Sequence, residues 1–228
     1  IAEDEAFSPD QIASELNSIF SADGTNNLPT NVVAEDIHTS KPVILGLGQG
    51  GDEYTYTHHS HSLAQYYYWP EGQEERWANL SGGGDFIWDY VVIGADPYMV
   101  STLPGYYALG VNKIAAKVAE GDARPLLLMI WPKGDTSDII LDHIEAMTHR
   151  TADGASVEVK VVPAGSAWRS LPENQKDQDS LHPTPKGAYL AAAAIYAHIT
   201  NQSAAASDYE YDDELAEAAL NAVATIDA

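Results

Sequence analysis

The sequence predicts a three-layer α/β/α domain built around a mostly parallel β-sheet. Three observations carry that reading. Four short apolar runs, at residues 43–47, 89–95, 125–131 and 157–163, the last of them partly alternating, have the length and composition of strands in a sheet covered on both faces. Stretches of helical periodicity lie between them, as parallel pairing through right-handed crossovers requires. The chain has 228 residues, a length for one such domain with short appendages.

The elements follow in order. Ser8 and Pro9 have the N-cap and first-turn chemistry of a helix, and residues 11–20 continue it. Residues 22–40 are polar, without clear period, and read as a loop. The run Val43-Ile44-Leu45-Gly46-Leu47 reads as a buried strand that enters the glycine turn Gly48-Gln49-Gly50-Gly51. The strands at 89–95 (DYVVIGA) and 125–131 (PLLLMIW) flank a helix at 103–120 that stops at Gly121. A helix at 136–148 leads to the last strand, 157–163. Thr184 and Pro185 open an alanine-rich helix at 186–200, and residues 212–226 form a last amphipathic helix. The organisation is therefore an acidic N-terminal helix and loop (1–40), an α/β domain (41–200) and an acidic C-terminal helix (201–228).

Charge supports that division and excludes several functions. Lys plus Arg total 11 and Asp plus Glu total 34, a net charge of −23. No Lys or Arg precedes Lys41 or follows Lys186, and these two flanks hold 15 of the 34 acids. Such a surface repels phosphate backbones and anionic bilayers, so neither nucleic acid nor a membrane is an expected partner. No apolar run is long enough to span a bilayer. Without cysteine there is no disulfide, thiolate zinc site or Cys nucleophile. A chain opening at Ile1 fits a processed leader or a trimmed start, with secretion or a periplasmic location as the expectation. The excess of acids suits a salty medium, so a bacterial, marine or halophilic source is expected.

In doubly wound sheets, ligands sit beyond the carboxyl ends of the strands. The residues to watch are therefore Gly48, Gly51, Gly94, Asp96, Trp131 and Trp168. The strongest local signal is Asp179-Ser180-Leu181-His182-Pro183, just before the alanine-rich helix. An Asp three residues before a His can turn back to fix the imidazole tautomer and support the imidazolium formed when His accepts a proton. The same five residues also suit a plain surface turn.

These residues resemble the last motif block of the SGNH (GDSL-like) ester hydrolase superfamily, which supplies the acid and base of a catalytic triad. Trp88-Asp89-Tyr90-Val91-Val92, Leu128-Met129-Ile130-Trp131 and Val162-Pro163-Ala164-Gly165-Ser166-Ala167-Trp168 resemble strand and turn segments of bacterial members. So does the helix entry Gly187-Ala188-Tyr189-Leu190. The likeness runs in order over residues 41–200. It implies a flavodoxin-like strand order of 2-1-3-4-5, with His182 as base and Asp179 as its partner. It also implies an O-acyl ester substrate such as an acetylated carbohydrate.

The departures bear on activity. The family's nucleophilic Ser would fall at Gly50, which has no side chain to attack a carbonyl. Neither Asp96 nor residues 131–135 supply the amide side chain of an oxyanion hole, which would then rest on backbone N–H groups at Gly50 and Gly51, with Gln49 as a contributor. Three outcomes stay open: Ser60 or Ser62 replaces the nucleophile, His182 with Asp179 activates water, or the pocket binds a ligand without catalysis.

Three further features compete. His58-His59-Ser60-His61 could hold a divalent metal, His59 and His61 falling on one side of an extended segment; an exposed polar loop accounts for the same residues. No cofactor is otherwise required. Tyr54, Tyr56, Tyr66, Tyr67, Tyr68, Trp69 and Trp77 crowd one stretch, and the chain's 13 Tyr and 5 Trp against 3 Phe suit a wet, sugar-binding surface. The letters of Gly46-Leu47-Gly48-Gln49-Gly50-Gly51 fit a dinucleotide fingerprint, but no helical period follows the last glycine. The sequence thus points to an SGNH-type hydrolase with an altered site, or to a binding protein on that scaffold.

Overall fold

The structure is a computed structural model and describes residues 9–23, 40–47, 53–59, 74–82, 87–95, 97–132, 138–172, 185–209 and 211–226. It has an α/β architecture, mostly helical, with a three-stranded parallel sheet. The elements run α1 (Pro9–Asp23), β1 (Ser40–Leu47), β2 (Glu53–His59), α2 (Glu74–Asn79), β3 (Tyr90–Ile93), α3 (Pro97–Thr102) and α4 (Pro104–Ala119). They continue with β4 (Arg124–Leu128), α5 (Asp138–Asp153), β5 (Lys160–Val162), α6 (Ala164–Ser170), α7 (Pro185–Thr200), a 3-10 turn (Ala204–Ala206) and α8 (Asp213–Ile226).

The parallel sheet has the order β3-β4-β5. Tyr90 lies opposite Arg124 and Ile93 opposite Leu127; Leu126 pairs with Lys160 and Leu128 with Val162. The ladder runs on past β4, where the Met129 N–H donates to the Val162 carbonyl at 2.9 Å. Strand side chains alternate between faces, and the core shows it. Leu126, Leu128, Ile130 and Val162 join one buried cluster with α1, α6, α7 and α8. Ile93, Leu127, Met129 and Val161 join another with α3, α4 and Ile144 of α5. Both faces of β4 are covered, which is why 125–131 reads as one unbroken apolar run, while Val92 of β3 and Lys160 of β5 are exposed.

The layer over the first face is organised by α7. Every residue from Gly187 to Ala197 is buried. A helix buried all round needs small side chains where neighbours approach, and Ala191, Ala192, Ala193 and Ala194 provide them. Helices α1 and α8 both pack against α7. Their apolar stripes, Leu16, Ile19 and Phe20 from α1 and Leu215, Ala216 and Ala219 from α8, face inward. Asp10, Glu15 and Asp23 on α1, and Asp213, Glu214 and Glu217 on α8, thus ride on amphipathic helices that share the domain's core. The Asp212 carboxylate accepts from the Leu215 N–H and caps α8, and Asp213 and Glu214 lie in its first turn, favourable at the positive end of the helix.

The first strand departs from expectation. Among the described residues, β1 pairs antiparallel with β2, Val43 opposite Tyr56 and Lys41 opposite His58, and forms a separate two-stranded sheet. The parallel sheet therefore supplies only the 3-4-5 part of the implied order. The reason β2 was not foreseen is in its sequence: Tyr54-Thr55-Tyr56-Thr57 alternates with strand-forming residues, a period of two that a test for helical periodicity passes over. The remaining strands are shorter than their apolar runs, because 129–131 and 157–159 leave regular geometry while Met129, Ile130, Trp131 and Val159 stay buried.

Candidate functional site

The described part of the site is the set of carboxyl ends of β3, β4 and β5, with the start of α7 close along the chain to the Asp179–Pro183 segment. Beyond β3, Gly94 is exposed, and a Cβ built there meets nothing within 4 Å. Beyond β4, Ile130, Trp131 and Pro132 are buried. Beyond β5, the chain enters α6 at once. The Gly165 N–H donates to the Met129 carbonyl at 2.8 Å, and a Cβ on Gly165 would lie 2.8 Å from the Ile130 carbonyl oxygen. Only glycine lets α6 start this close to the end of β4. Arg169 then ties α6 to α5 through Asp142 at 2.7 Å and Glu145 at 3.1 Å.

Trp131 and Trp168, two of the sequence-derived candidates, are brought together here. Their rings are 6.2 Å apart and within 3° of parallel. Both are buried, so their contribution to these strand ends is a rigid wall. The Ser166 hydroxyl lies between them in sequence, buried and without a hydrogen-bond partner among the described residues. Sequence reasoning did not single it out; its signal was only its position just past a strand.

His182, Asp179, Gly48, Gln49, Gly50, Gly51, Asp96, Ser60, Ser62 and His61 lie outside the described residues. His58 and His59 are the last two residues of β2, paired by backbone with Lys41 and Ser40. Among the described residues no three His, Asp or Glu side chains converge as a metal site. No helix among them is long and apolar enough to cross a membrane.

A second cluster, also unanticipated, sits at the first turns of α7. Tyr189 stacks on Tyr211 at 4.7 Å, and Tyr209 lies 6.1 Å from Tyr189 and 6.4 Å from Tyr211. The Tyr209 hydroxyl donates to Glu15 of α1 at 2.7 Å. Lys186 and Asp212 form a 3.5 Å ion pair beside the rings. Burial, with Asp212 and Asp213 adding repulsion, pushes the Tyr189 hydroxyl up to about 12. The bond to Glu15 raises Tyr209 to about 12, and burial raises Tyr211 as well. All three hydroxyls therefore stay protonated donors well above neutral pH.

Together these features define a three-layer α/β domain whose strand ends form a walled edge. The comparisons with known proteins agree at that level. The chain is structurally similar to a DUF4886 family protein from Bacteroides uniformis ATCC 8492, with a TM-score of 0.54 at 16% identity, over 80% of this chain and 73% of that one. At that identity the likeness is one of fold. No family model matches the chain, and no curated protein matches it significantly.

Proposed function

We propose that this chain is an SGNH-type hydrolase-like domain that acts on O-acyl esters of carbohydrate-like alcohols, with an altered catalytic site. The observation that carries the reading is the segment Asp179-x-x-His182-Pro183, which leads within three residues into α7, a helix packed on a parallel sheet. In this reading His182 is the base and Asp179 orients its ring. With glycine at position 50 the nucleophile is water. His182 takes one water proton as the oxygen bonds to the acyl carbon, and the carbonyl electrons move onto the oxyanion. Backbone N–H groups at Gly50 and Gly51, and Gln49, meet that charge. Collapse expels the alcohol oxygen, which takes the proton back from the imidazolium. Gly94, Asp96, Trp131 and Trp168 bound the acyl side.

Gly50 itself favours a second reading, a domain that binds such ligands and no longer turns them over. A metal held by His58, His59 and His61, supplying the attacking water, is the third. The deciding measurement is hydrolysis of p-nitrophenyl acetate by the purified chain, with and without chelator. Under the first reading His182→Ala lowers the rate by roughly 10²–10⁴, and chelator has no effect. Chelator sensitivity would move the assignment to the His58–His61 segment. A silent parent with activity restored by Gly50→Ser identifies the binding protein. No activity in either sinks the hydrolase scaffold.

A further inference from the structure

The stacked tyrosines at the start of α7 have no part in the chemistry above, yet they follow closely in the chain on the segment assigned to it. Three Cα–Cα steps separate His182 from Pro185, so chain connectivity keeps those two residues within about 11 Å. Lys186 is the second residue of α7 and Tyr189 the fifth. The aromatic cluster therefore begins one turn past the segment that carries the base.

Its composition selects a ligand class. Tyr189 is buried and backs the stack, while Tyr211 leaves 40% of its surface exposed. A partly exposed aromatic ring with a polar handle, backed by a second ring, offers a rigid, low-entropy surface. The side chains beside the rings include both signs: Lys186, more than half exposed, and the carboxylates of Asp212 and Glu15. An anionic ligand meets two carboxylates, and an organic cation meets Lys186. A neutral polyhydroxy ring can donate to the carboxylates, accept from the ammonium and place its C–H face on the tyrosine.

We propose that Tyr189, Tyr209 and Tyr211 form a neutral-glycan platform, with a sugar ring lying on Tyr211 and its hydroxyls bonded to the Lys186–Asp212 pair. The assignment rests on the proposed function for its orientation: the platform is the alcohol side of the ester site. Packing of α1 against the segment before α8 explains Tyr209, which is bonded to Glu15, but does not explain an outer ring left exposed. Tyr211 could turn inward or be a smaller residue if it served only as packing.

The test is calorimetric and fluorescence titration of the full chain with unesterified xylohexaose, cellohexaose, mannohexaose and chitohexaose, with tetramethylammonium as the cationic comparison. Binding of at least one neutral glycan is expected, weakened about five- to tenfold in Tyr211→Ala and held within about threefold in Tyr211→Phe. Thermal melts verify that each variant is folded, and Lys186→Met offers a second variant that leaves all three rings in place, with a several-fold loss expected. Binding of none of the four glycans, binding indifferent to Tyr211, or binding of tetramethylammonium alone overturns the platform. The hydrolase reading is scored separately: hydrolysis of p-nitrophenyl acetate that depends on His182, with no glycan bound, removes the platform and leaves that reading standing. Glycan binding without hydrolysis keeps the platform on a binding protein.

Discussion

The contact between Gly165 and the end of β4 gives a sharp test of how the site edge is built. The perturbation is Gly165→Ala. Its Cβ would lie 2.8 Å from the Ile130 carbonyl oxygen, 3.2 Å from the carbonyl carbon and 3.3 Å from a Leu141 methyl. The nearest atoms are backbone, so relief requires α6 to move away from β4 instead of a side chain turning aside. Overpacking of this kind costs about 1–3 kcal/mol. The same shift stretches the 2.8 Å bond from the Gly165 N–H to the Met129 carbonyl, worth about 1 kcal/mol. A total of about 2–4 kcal/mol corresponds to a fall in Tm of roughly 4–16 °C for a chain of this size. The control is Gly94→Ala at the end of the neighbouring strand, exposed and with no atom within 4 Å of the new methyl. That variant should stay within about 0.5 kcal/mol of the parent. Calorimetric or circular-dichroism melts of the three proteins decide the matter. Equal melting of the two glycine variants would refute the close approach of α6 to β4.

Other consequences are open to measurement. Tyr107 is buried and its hydroxyl is pushed up to about 12 by desolvation, against a hydrogen bond with Thr148 that lowers it. Its contribution is fully present below pH 10 and is lost as pH rises from 10 to 12, because the unfolded state ionises first. Stability should therefore fall by on the order of 3 kcal/mol through this residue as pH rises, and Tyr107→Phe should flatten that part of the curve, as read by denaturant melts at pH 9 and 12. Tyr209→Phe removes the bond to Glu15 and should destabilise by about 1 kcal/mol in chemical denaturation, with no further loss in the double variant with Glu15→Gln. Ala192→Leu inserts three carbons where α7 has no exposed surface, and should lower stability by about 1–3 kcal/mol or more in the same assay.

How far these features could be read from the chain depended on the kind of signal. Strand β4 was legible because burial on both faces writes a continuous apolar run, and β3 and β5 because their runs stay largely apolar although Val92 and Lys160 are exposed. Helices α4, α5 and α8 were legible because their stripes repeat over three or more turns, and α7 from its Thr-Pro start and run of alanines. Short elements were not. Helix α2 has six residues, and α6 begins Ala-Gly-Ser behind Pro163 with no side-chain cap. What holds α6 is tertiary: Trp168 on Trp131 and Arg169 on α5. The alternation of β2 has a period of two, which a test for helical periodicity passes over. Within the site, Asp179 and His182 were legible because both chemistry and spacing are local. The pairing of Trp131 with Trp168 and the meeting of Tyr189 with Tyr211 were not, since the partners come together only when α6 and α8 dock. The tail that supplies Tyr209 and Tyr211 drew attention for its acids, which point to solubility, and its tyrosines were passed over.

The place of α1 sets a clock on synthesis. Its apolar stripe, Leu16, Ile19 and Phe20, is made long before its cover on α7, which starts at Pro185. Some 160 residues separate Asp23 from that helix, and at 5–20 residues per second a ribosome needs about 8–32 s to produce them. For that time the stripe has no native surface to meet. The acids around it, and the absence of any Lys or Arg before Lys41, keep nascent chains apart by repulsion during the wait. A charge pattern that looks like a property of the finished surface also protects the chain before the surface exists.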